Sequence, residues 1–345
     1  MVLEKNLIKN NFMPKLSICI PTRNREVYLI ECLDNILSQG IEDLEIVIVD
    51  GASTDNTETV VKRYENKFAN LTYFRREECI GVDKDILQAV QISKGEYCWL
   101  MSDDDLLEQG ALKNVLDCIY LHEPLAGISV NYTAYDAKMK YSIKTVPAIS
   151  GNKIESDFLF TDPEKCFSNL GIHLGFLSAQ IVNRDVFLKT VLNNNLDSYY
   201  NSWLLVYIIG RMFEFESKWL YIHKKLVKYR SGNDSFLANL GVYNRQVITY
   251  VNFPKIVQSI FGYRTKAYNN VIYTLVADRM ARSLAVLKAD GSSVAMQFKI
   301  FLMYLKRVWY FPLFWYKVVP VFFIPNFVLR NIRHFYMIYK GSKSK

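Results

Sequence analysis

The chain is expected to be an α/β protein, with a mostly parallel sheet flanked by helices and a helical C-terminal extension. Three observations predict this. Between Lys15 and about Leu125, short apolar runs alternate with segments of helical periodicity, the order of successive βαβ units. Polar clusters fall at the ends of those runs, where open parallel sheets keep their ligand crevices. After Leu240 the pattern turns helical, and after Val294 it becomes aromatic and basic.

Leu16 to Ile20 reads as a buried strand stopped by Pro21. Tyr28, Leu29, Cys32, Leu33, Ile36 and Leu37 recur at helical spacing. Leu44 to Val49 predicts a second strand, Thr57 to Tyr64 a second helix and Leu71 to Phe74 a third strand. Asp85 to Ile92 is helical, Gly95 breaks it, and Tyr97 to Met101 forms a fourth strand running into Asp103-Asp104-Asp105. Farther on, Ala126 to Val130 predicts a strand, Ser150 to Asp157 a polar loop, and about Trp203 to Met212 an apolar helix. The expected organisation is an N-terminal extension (1–13), a first half with the βαβ pattern (14–125), a second half that completes the sheet and covers its cleft (126–240) and a helical basic-aromatic region (241–345).

A length of 345 residues, half of them apolar, is enough to bury a full core and excludes a disordered or fibrous chain. The net charge of +8 is unevenly placed: Gly291 to Lys345 holds nine Lys or Arg and no acid, so the preceding residues sum to −1. The six cysteines stand singly with no C-x-x-C pair, which fits a reducing cytoplasm. The segment through Met13 lacks the continuous apolar core of a signal peptide.

The chemistry concentrates at strand ends. Three carboxylates held together at Asp103-Asp104-Asp105 repel one another unless a cation compensates them. A hard divalent ion such as Mn²⁺ or Mg²⁺ accepts carboxylate oxygens, completes its shell with substrate phosphates and neutralises a departing diphosphate. The alternative is an acidic turn, in which Asp105 alone caps the next helix. Asp50 at the second strand end can accept from the edge of a base, and the small residues after it let the backbone approach a ring. Lys84 offers a flexible point charge to a phosphate. In the turn Tyr229 to Phe236, Arg230 offers a planar fork for phosphate oxygens, and Asp234 offers support to the metal or the acceptor.

Taken together, Pro21-Thr22-Arg23-Asn24, Val49 to Thr57, Gly81, Lys94-Gly95-Glu96-Tyr97 and Ser102 to Asp105 resemble, in order and spacing, the nucleotide-binding half of family 2 glycosyltransferases with the GT-A (Rossmann-like) fold. The resemblance implies that 14–125 is the nucleotide-sugar-binding half and 126–240 the acceptor-binding half, with a donor site lined by Pro21, Thr22, Asn24, Asp50, Ser53 and Gly81 and with Thr22 and Asp50 at the nucleobase. It places Asp103 near the ribose and metal and makes Asp104 the principal metal ligand. Ser102 stands where many members carry the first Asp of their D-x-D word. With the Arg230 turn added, the chain looks like the abequosyltransferase-like subgroup, which transfers a dideoxyhexose to a lipid-linked O-antigen precursor. Gly232 replaces the His that many other members carry after the Arg. The family's base is a carboxylate at the start of a helix, and here that place falls at Asn201-Ser202. Asp197 is the nearest acid in sequence, with a helix N-cap as its alternative role. The histidines His122, His173, His223 and His334 show no ligand spacing, and only His173 lies in an acceptor-side loop.

Val308 to Leu329 is nearly all apolar, but Pro312, Lys317, Pro320 and Pro325 argue against one straight spanning helix. Flanking cations with Trp309, Tyr310, Trp315 and Tyr316 predict shallow or re-entrant insertion against the cytoplasmic leaflet, or else a helical cap on the catalytic domain. No nucleic-acid module is present. The expected activity is transfer of a UDP- or CDP-linked sugar to a lipid-linked saccharide in surface polysaccharide assembly, by an enzyme peripherally attached to the inner face of the membrane. A nucleotide-sugar-binding scaffold without turnover is the alternative. A sugar nucleotidyltransferase fits less well, because Pro21-Thr22-Arg23-Asn24 has no glycine to wrap a triphosphate.

Overall fold

The computed structural model describes residues 13–143, 154–233 and 235–342, and the chain divides into two compact units, Met1–Asn233 and Asp234–Lys345. Unit 1 is built on one sheet. Its strands are β1 (Leu16–Thr22), β2 (Leu44–Asp50), β3 (Asn70–Arg75), β4 (Tyr97–Leu100), β5 (Leu106–Leu107), β6 (Gly127–Tyr135), β7 (Ser142–Ile143), β8 (Phe158–Phe160), β9 (Gln180–Asn183) and β10 (Trp219–Arg230). The order is β3-β2-β1-β4-β9-β6-β10-β5, with β7 on β6 and β8 on β10. β1, β2, β3 and β4 are mutually parallel, β9 runs against both β4 and β6, and β10 lies parallel to β6. Only short strands oppose the dominant direction.

Every residue of β1 and β2 is buried, as strands covered by helices on both faces must be. On one side, helix α1 (Glu26–Leu37) buries Leu29, Cys32, Leu33 and Ile36, spaced as a single apolar stripe, against Ile18, Ile20 and Ile46. The remaining helices of the unit are α2 (Thr57–Tyr64), α3 (Val82–Ile92), α4 (Ala111–His122), α5 (Pro163–Leu170), α6 (Arg184–Asn193) and α7 (Leu204–Met212). Several expected boundaries move. Pro21 does not stop β1, which stays in register with β2 through Pro21 to Thr22. α3 starts at Val82 instead of Asp85, which puts Asp83 and Lys84 in its first turn, and β6 runs to Tyr135 instead of ending at Val130. The Lys94-Gly95-Glu96-Tyr97 word has a packing reason. A Cβ on Gly95 would stand 2.4 Å from Ser17 Oγ and 2.7 Å from its amide nitrogen, where the Gly95 amide now donates to that hydroxyl at 2.8 Å.

Unit 2 is helical: α8 (Ser235–Val247, kinked at Gly241), a π-helical segment (Ile248–Asn252), α9 (Phe253–Phe261), α10 (Lys266–Thr274), α11 (Ala281–Ala289), α12 (Val294–Val308), α13 (Val319–Phe323) and α14 (Asn326–Ser342). Its core includes the buried Tyr304, whose hydroxyl donates to Gln246 Oε1 at 2.7 Å, while the Ser283 hydroxyl reaches the same oxygen at 2.9 Å. Thr265 and Ser293 cap α10 and α12 through their side-chain oxygens. Among the described residues no helix is long and apolar enough to cross a membrane. The run from Val308 to Leu329 is broken into a π-helical segment at Phe314–Val318 and the five-residue α13.

Candidate active site

The site of unit 1 is assembled at the carboxyl ends of β1, β2 and β4. The register pairs Thr22 with Asp50, and the Met101 amide continues the β1 to β4 ladder by donating to Cys19 O at 2.9 Å. Fully buried Asp50 accepts from the Ser53 amide at 2.8 Å and from the Tyr73 hydroxyl at 2.7 Å, and Arg75 Nε stands 3.8 Å away. These bonds fix the turn after β2. The Gly51 amide donates to Thr22 O at 2.9 Å, and a Cβ at Gly51 would lie 2.9 Å from Asp85 Oδ2, so a larger residue there would have to push the Asp85 side chain aside. Asn24, at φ 54°, ties two strand ends together: its amide donates to Ser53 Oγ at 2.9 Å, and its Oδ1 accepts from the Thr54 amide at 2.7 Å. Pro21 is buried within β1, Gly81 adopts φ 98° at the start of α3, and the exposed Lys84 holds its ammonium 5.4 Å from the Tyr200 ring centroid.

The three aspartates are all buried and diverge. Asp103 Oδ2 accepts from the Thr22 hydroxyl at 2.7 Å. Asp104 accepts from the Ser102 hydroxyl at 2.6 Å, from Arg25 Nη1 at 2.8 Å and from Asn233 Nδ2 at 2.6 Å. Asp105 accepts from the Ser178 hydroxyl at 2.6 Å and from the Arg230 amide at 2.9 Å. Arg25 also comes within 3.6 Å of Asp103, so one guanidinium bridges the first two carboxylates. Burial pushes Asp103 up to about 7, against the opposing pull of Arg25, and burial together with the charge of Asp104 pushes Asp105 up to about 8.

Several expectations are corrected by this geometry. Asp105 is not a helix cap, because β5 follows it and α4 is entered through Gly110. Nor does it share a face with Asp103 and Asp104, since both its oxygens are engaged inside the unit. Among the described residues, no group of three His, Cys, Asp or Glu side chains is arranged to hold a metal, and the divergence of the triplet is the reason. Arg230 is buried instead of free for phosphate: Nε donates to Asp104 O at 2.8 Å, Nη1 to Ala137 O at 2.8 Å, and Nη2 pairs with Glu31. It braces the aspartate turn from behind. Asp197 is exposed and opens a short 3₁₀ turn, Asp197–Tyr199, well before Trp203, the N-cap of α7. His173 is buried, with its Nε2 3.2 Å from Val130 O and its ring stacked on Tyr132. Asp234 lies outside the described residues.

A carboxylate does reach the segment where the resemblance placed the base. Asp83 Oδ2 accepts from the Ser202 amide at 2.8 Å, across 119 positions of sequence. Ser202 itself is held at φ 72°. Burial pushes Asp83 up to about 6, although the Ser202 and Asn201 amides pull it down. Its neighbours on α3 are otherwise engaged, Lys84 over Tyr200 and Asp85 in an ion pair with Arg76. Arg25, Asn233 and Asp83 were missed in the sequence reading. Arg25 follows the Pro21 word directly and Asn233 sits in the Arg230 turn, so both were within sight of a motif. Nothing local marks Asp83 or Ser178.

The sequence model described as Glycosyl transferase family 2 matches residues 17–188, the span that carries β1 to β4 and the three aspartates. The chain belongs to glycosyl transferase family 2. Among family relatives, it is 28% identical over 273 residues to the abequosyltransferase RfbV of Salmonella typhimurium, covering 74% of this chain and 79% of that protein. It is 33% identical over 105 residues to the GalNAc(5)-diNAcBac-PP-undecaprenol beta-1,3-glucosyltransferase of Campylobacter jejuni, which is 30% of this chain and 34% of that one. Among solved structures, TarS 1–349 of S. aureus in complex with UDP-GlcNAc superposes with a TM-score of 0.59 at 15% identity, covering 86% of this chain and 82% of that chain. The mannosyltransferase PcManGT of Pyrobaculum calidifontis, in complex with GDP-Man and Mn²⁺, gives 0.51 at 17% identity over 93% and 88%. These likenesses establish the GT-A type of α/β fold for this family member.

Proposed function

We propose that this glycosyltransferase moves a sugar from a pyrimidine nucleotide donor to a lipid-linked saccharide, in surface polysaccharide assembly at the cytoplasmic leaflet. The observation that carries the reading is the hydrogen bond from Thr22 to Asp103, which joins the base-side strand ends to the carboxylates in one buried cluster. The relatives support it: one is an abequosyltransferase, and another is named for an undecaprenol-linked acceptor.

The donor set of Asp103 and Asp104 fits a hard divalent cation. Both offer carboxylate oxygens, and among the described residues their charge is met by the Arg25 guanidinium, which bridges the pair, and by the Asn233 amide, whose Nδ2 donates to Asp104. Mn²⁺ or Mg²⁺ there would supply charge neutralisation for the departing diphosphate. Thr22 and Asp50 take the nucleobase side, and the left-handed turn at Asn24, with Ser53 beneath it, shapes the backbone that faces it. Gly81 and Lys84 border the donor, with Lys84 free to leave the Tyr200 ring for a phosphate oxygen. Arg230 and Asp105 hold the turn that presents Asp104.

We assign the proton acceptor to Asp83 in preference to Asp197. It is a half-buried carboxylate held by backbone amides and raised close to neutrality, the condition under which a base is both ionised and strong enough to take a hydroxyl proton. The test is transfer of label from UDP- and CDP-sugars into a membrane lipid extract in the presence of Mn²⁺ or Mg²⁺. Label in the lipid fraction with any pyrimidine donor supports the reading. Donor binding with no transfer and no donor hydrolysis across all acceptors would leave a binding scaffold instead. The exposed Trp315, Tyr316, Phe323 and Phe327 of unit 2, set among cations, support peripheral attachment to the leaflet that holds the acceptor.

A further inference from the structure

Unit 2 contains a half-open groove of about 640 Å³, within the range of small-molecule sites. One wall is the stripe Tyr243, Val247 and Val251, spaced four residues apart along α8 and the π-helical segment after it. The other is Lys299, Leu302 and Lys306 on α12, spaced three and four apart, with Arg307 beside them. The floor is therefore hydrocarbon and the rim cationic. Lys299 holds its ammonium 3.8 Å from the Tyr243 ring centroid, and among the described residues none of the three cations is in an ion pair. No acid follows Asp290 in the chain, so α12 brings none of its own. Clustered like charges beside an apolar trough repel, and an anion relieves them.

We propose that this groove seats one anionic membrane phospholipid, its phosphate between Lys299, Lys306 and Arg307 and its upper acyl chain along Val247, Val251 and Leu302. Charge complementarity and the aliphatic side chains of Val247, Val251, Leu302 and Met303 select a phosphate with a hydrocarbon tail over an acidic peptide, whose backbone would find few partners there. The exposed Phe298 and Trp309 lie on the same helix and at its end, so the groove opens beside residues suited to a headgroup layer. The proposal rests on the attachment of unit 2 to a membrane and adds a specific lipid site to it.

The experiment is co-flotation of the full-length protein with vesicles of phosphatidylcholine alone, of phosphatidylcholine with phosphatidylglycerol, and of phosphatidylcholine with undecaprenyl phosphate. The variants are K299Q/K306Q/R307Q and a charge-matched control from exposed positions of the same unit, K255Q/K266Q/R282Q. Three Lys or Arg acting on an anionic leaflet are worth about a hundred-fold in partitioning, so the groove variant should lose about that on phosphatidylglycerol vesicles, while the control loses less than about tenfold. Equal losses in the two variants, or equal wild-type binding to phosphatidylcholine alone, would overturn the lipid site and leave membrane attachment standing. Wild-type flotation only with undecaprenyl phosphate would reassign the groove to the acceptor's lipid and overturn the phospholipid assignment. No flotation with any vesicle would remove attachment as well. The single substitution K306Q, at an exposed position, is the check against a folding defect and should show a smaller loss of the same lipid dependence.

Discussion

The aspartate cluster of unit 1 and the cationic groove of unit 2 treat charge in opposite ways. In the cluster every carboxylate is buried and engaged: Asp103 by Thr22, Asp104 by Ser102, Arg25 and Asn233, Asp105 by Ser178 and the Arg230 amide. In the groove, three cations stand at the surface with no carboxylate paired to them among the described residues. A pre-organised buried network fixes geometry and charge before substrate arrives, which is what catalysis requires. Uncompensated cations over a hydrocarbon floor fix little by themselves and gain from whatever anion docks. On the proposed reading, chemistry belongs to unit 1 and adhesion to unit 2.

Substitutions separate the roles within the network. Asp104→Ala should reduce kcat by about a thousand-fold, the scale of lost charge stabilisation on a leaving diphosphate, measured as label transfer at saturating donor and metal. Asp83→Asn should lower kcat by about a hundred-fold. Because the ionised form accepts the proton, wild-type activity should rise with pH through about 6, and the variant should lose that limb of the profile. An unchanged limb would move the base elsewhere. Arg230→Met removes donors from two carbonyls and the partner of Glu31, so it should destabilise unit 1 by about 2–3 kcal/mol in chemical denaturation, and it should weaken turnover only through the aspartate turn. Gly95→Ala should cost about 1–3 kcal/mol by overpacking against Ser17, with the activity of the folded fraction intact. Asp197→Asn, at an exposed position, should change kcat by less than about twofold.

How much of this was legible in the sequence follows from how far each interaction reaches. β1, β2 and α2 were readable because continuous apolar runs and a 3.6-residue period are local signals. The start of α3 is less legible, since Val82, Asp83 and Lys84 look like loop until Gly81 turns the chain at positive φ. The strand-end words were legible as a set, because the parallel register brings Thr22 level with Asp50. What each aspartate does was not. Asp103, Asp104 and Asp105 are indistinguishable as a triplet and become distinct only through Thr22, Arg25 and Ser178, which lie 70 or more positions away. The Asp83 to Ser202 bond is of the same kind: no local pattern marks Asp83, and along the sequence Asp197 is the acid nearest to Asn201-Ser202.

If the strand-end cluster is a metal-assisted site for a pyrimidine nucleoside diphosphate, nucleotide binding there must depend on the metal. The most direct test is a calorimetric titration of UDP and CDP, with and without Mn²⁺, against the wild-type protein and Asp104→Ala. One of the two nucleotides should bind the wild type at least tenfold more tightly with Mn²⁺, and Asp104→Ala should abolish this metal dependence. Binding that is indifferent to Mn²⁺ in the wild type, or a metal dependence that survives in Asp104→Ala, would contradict it.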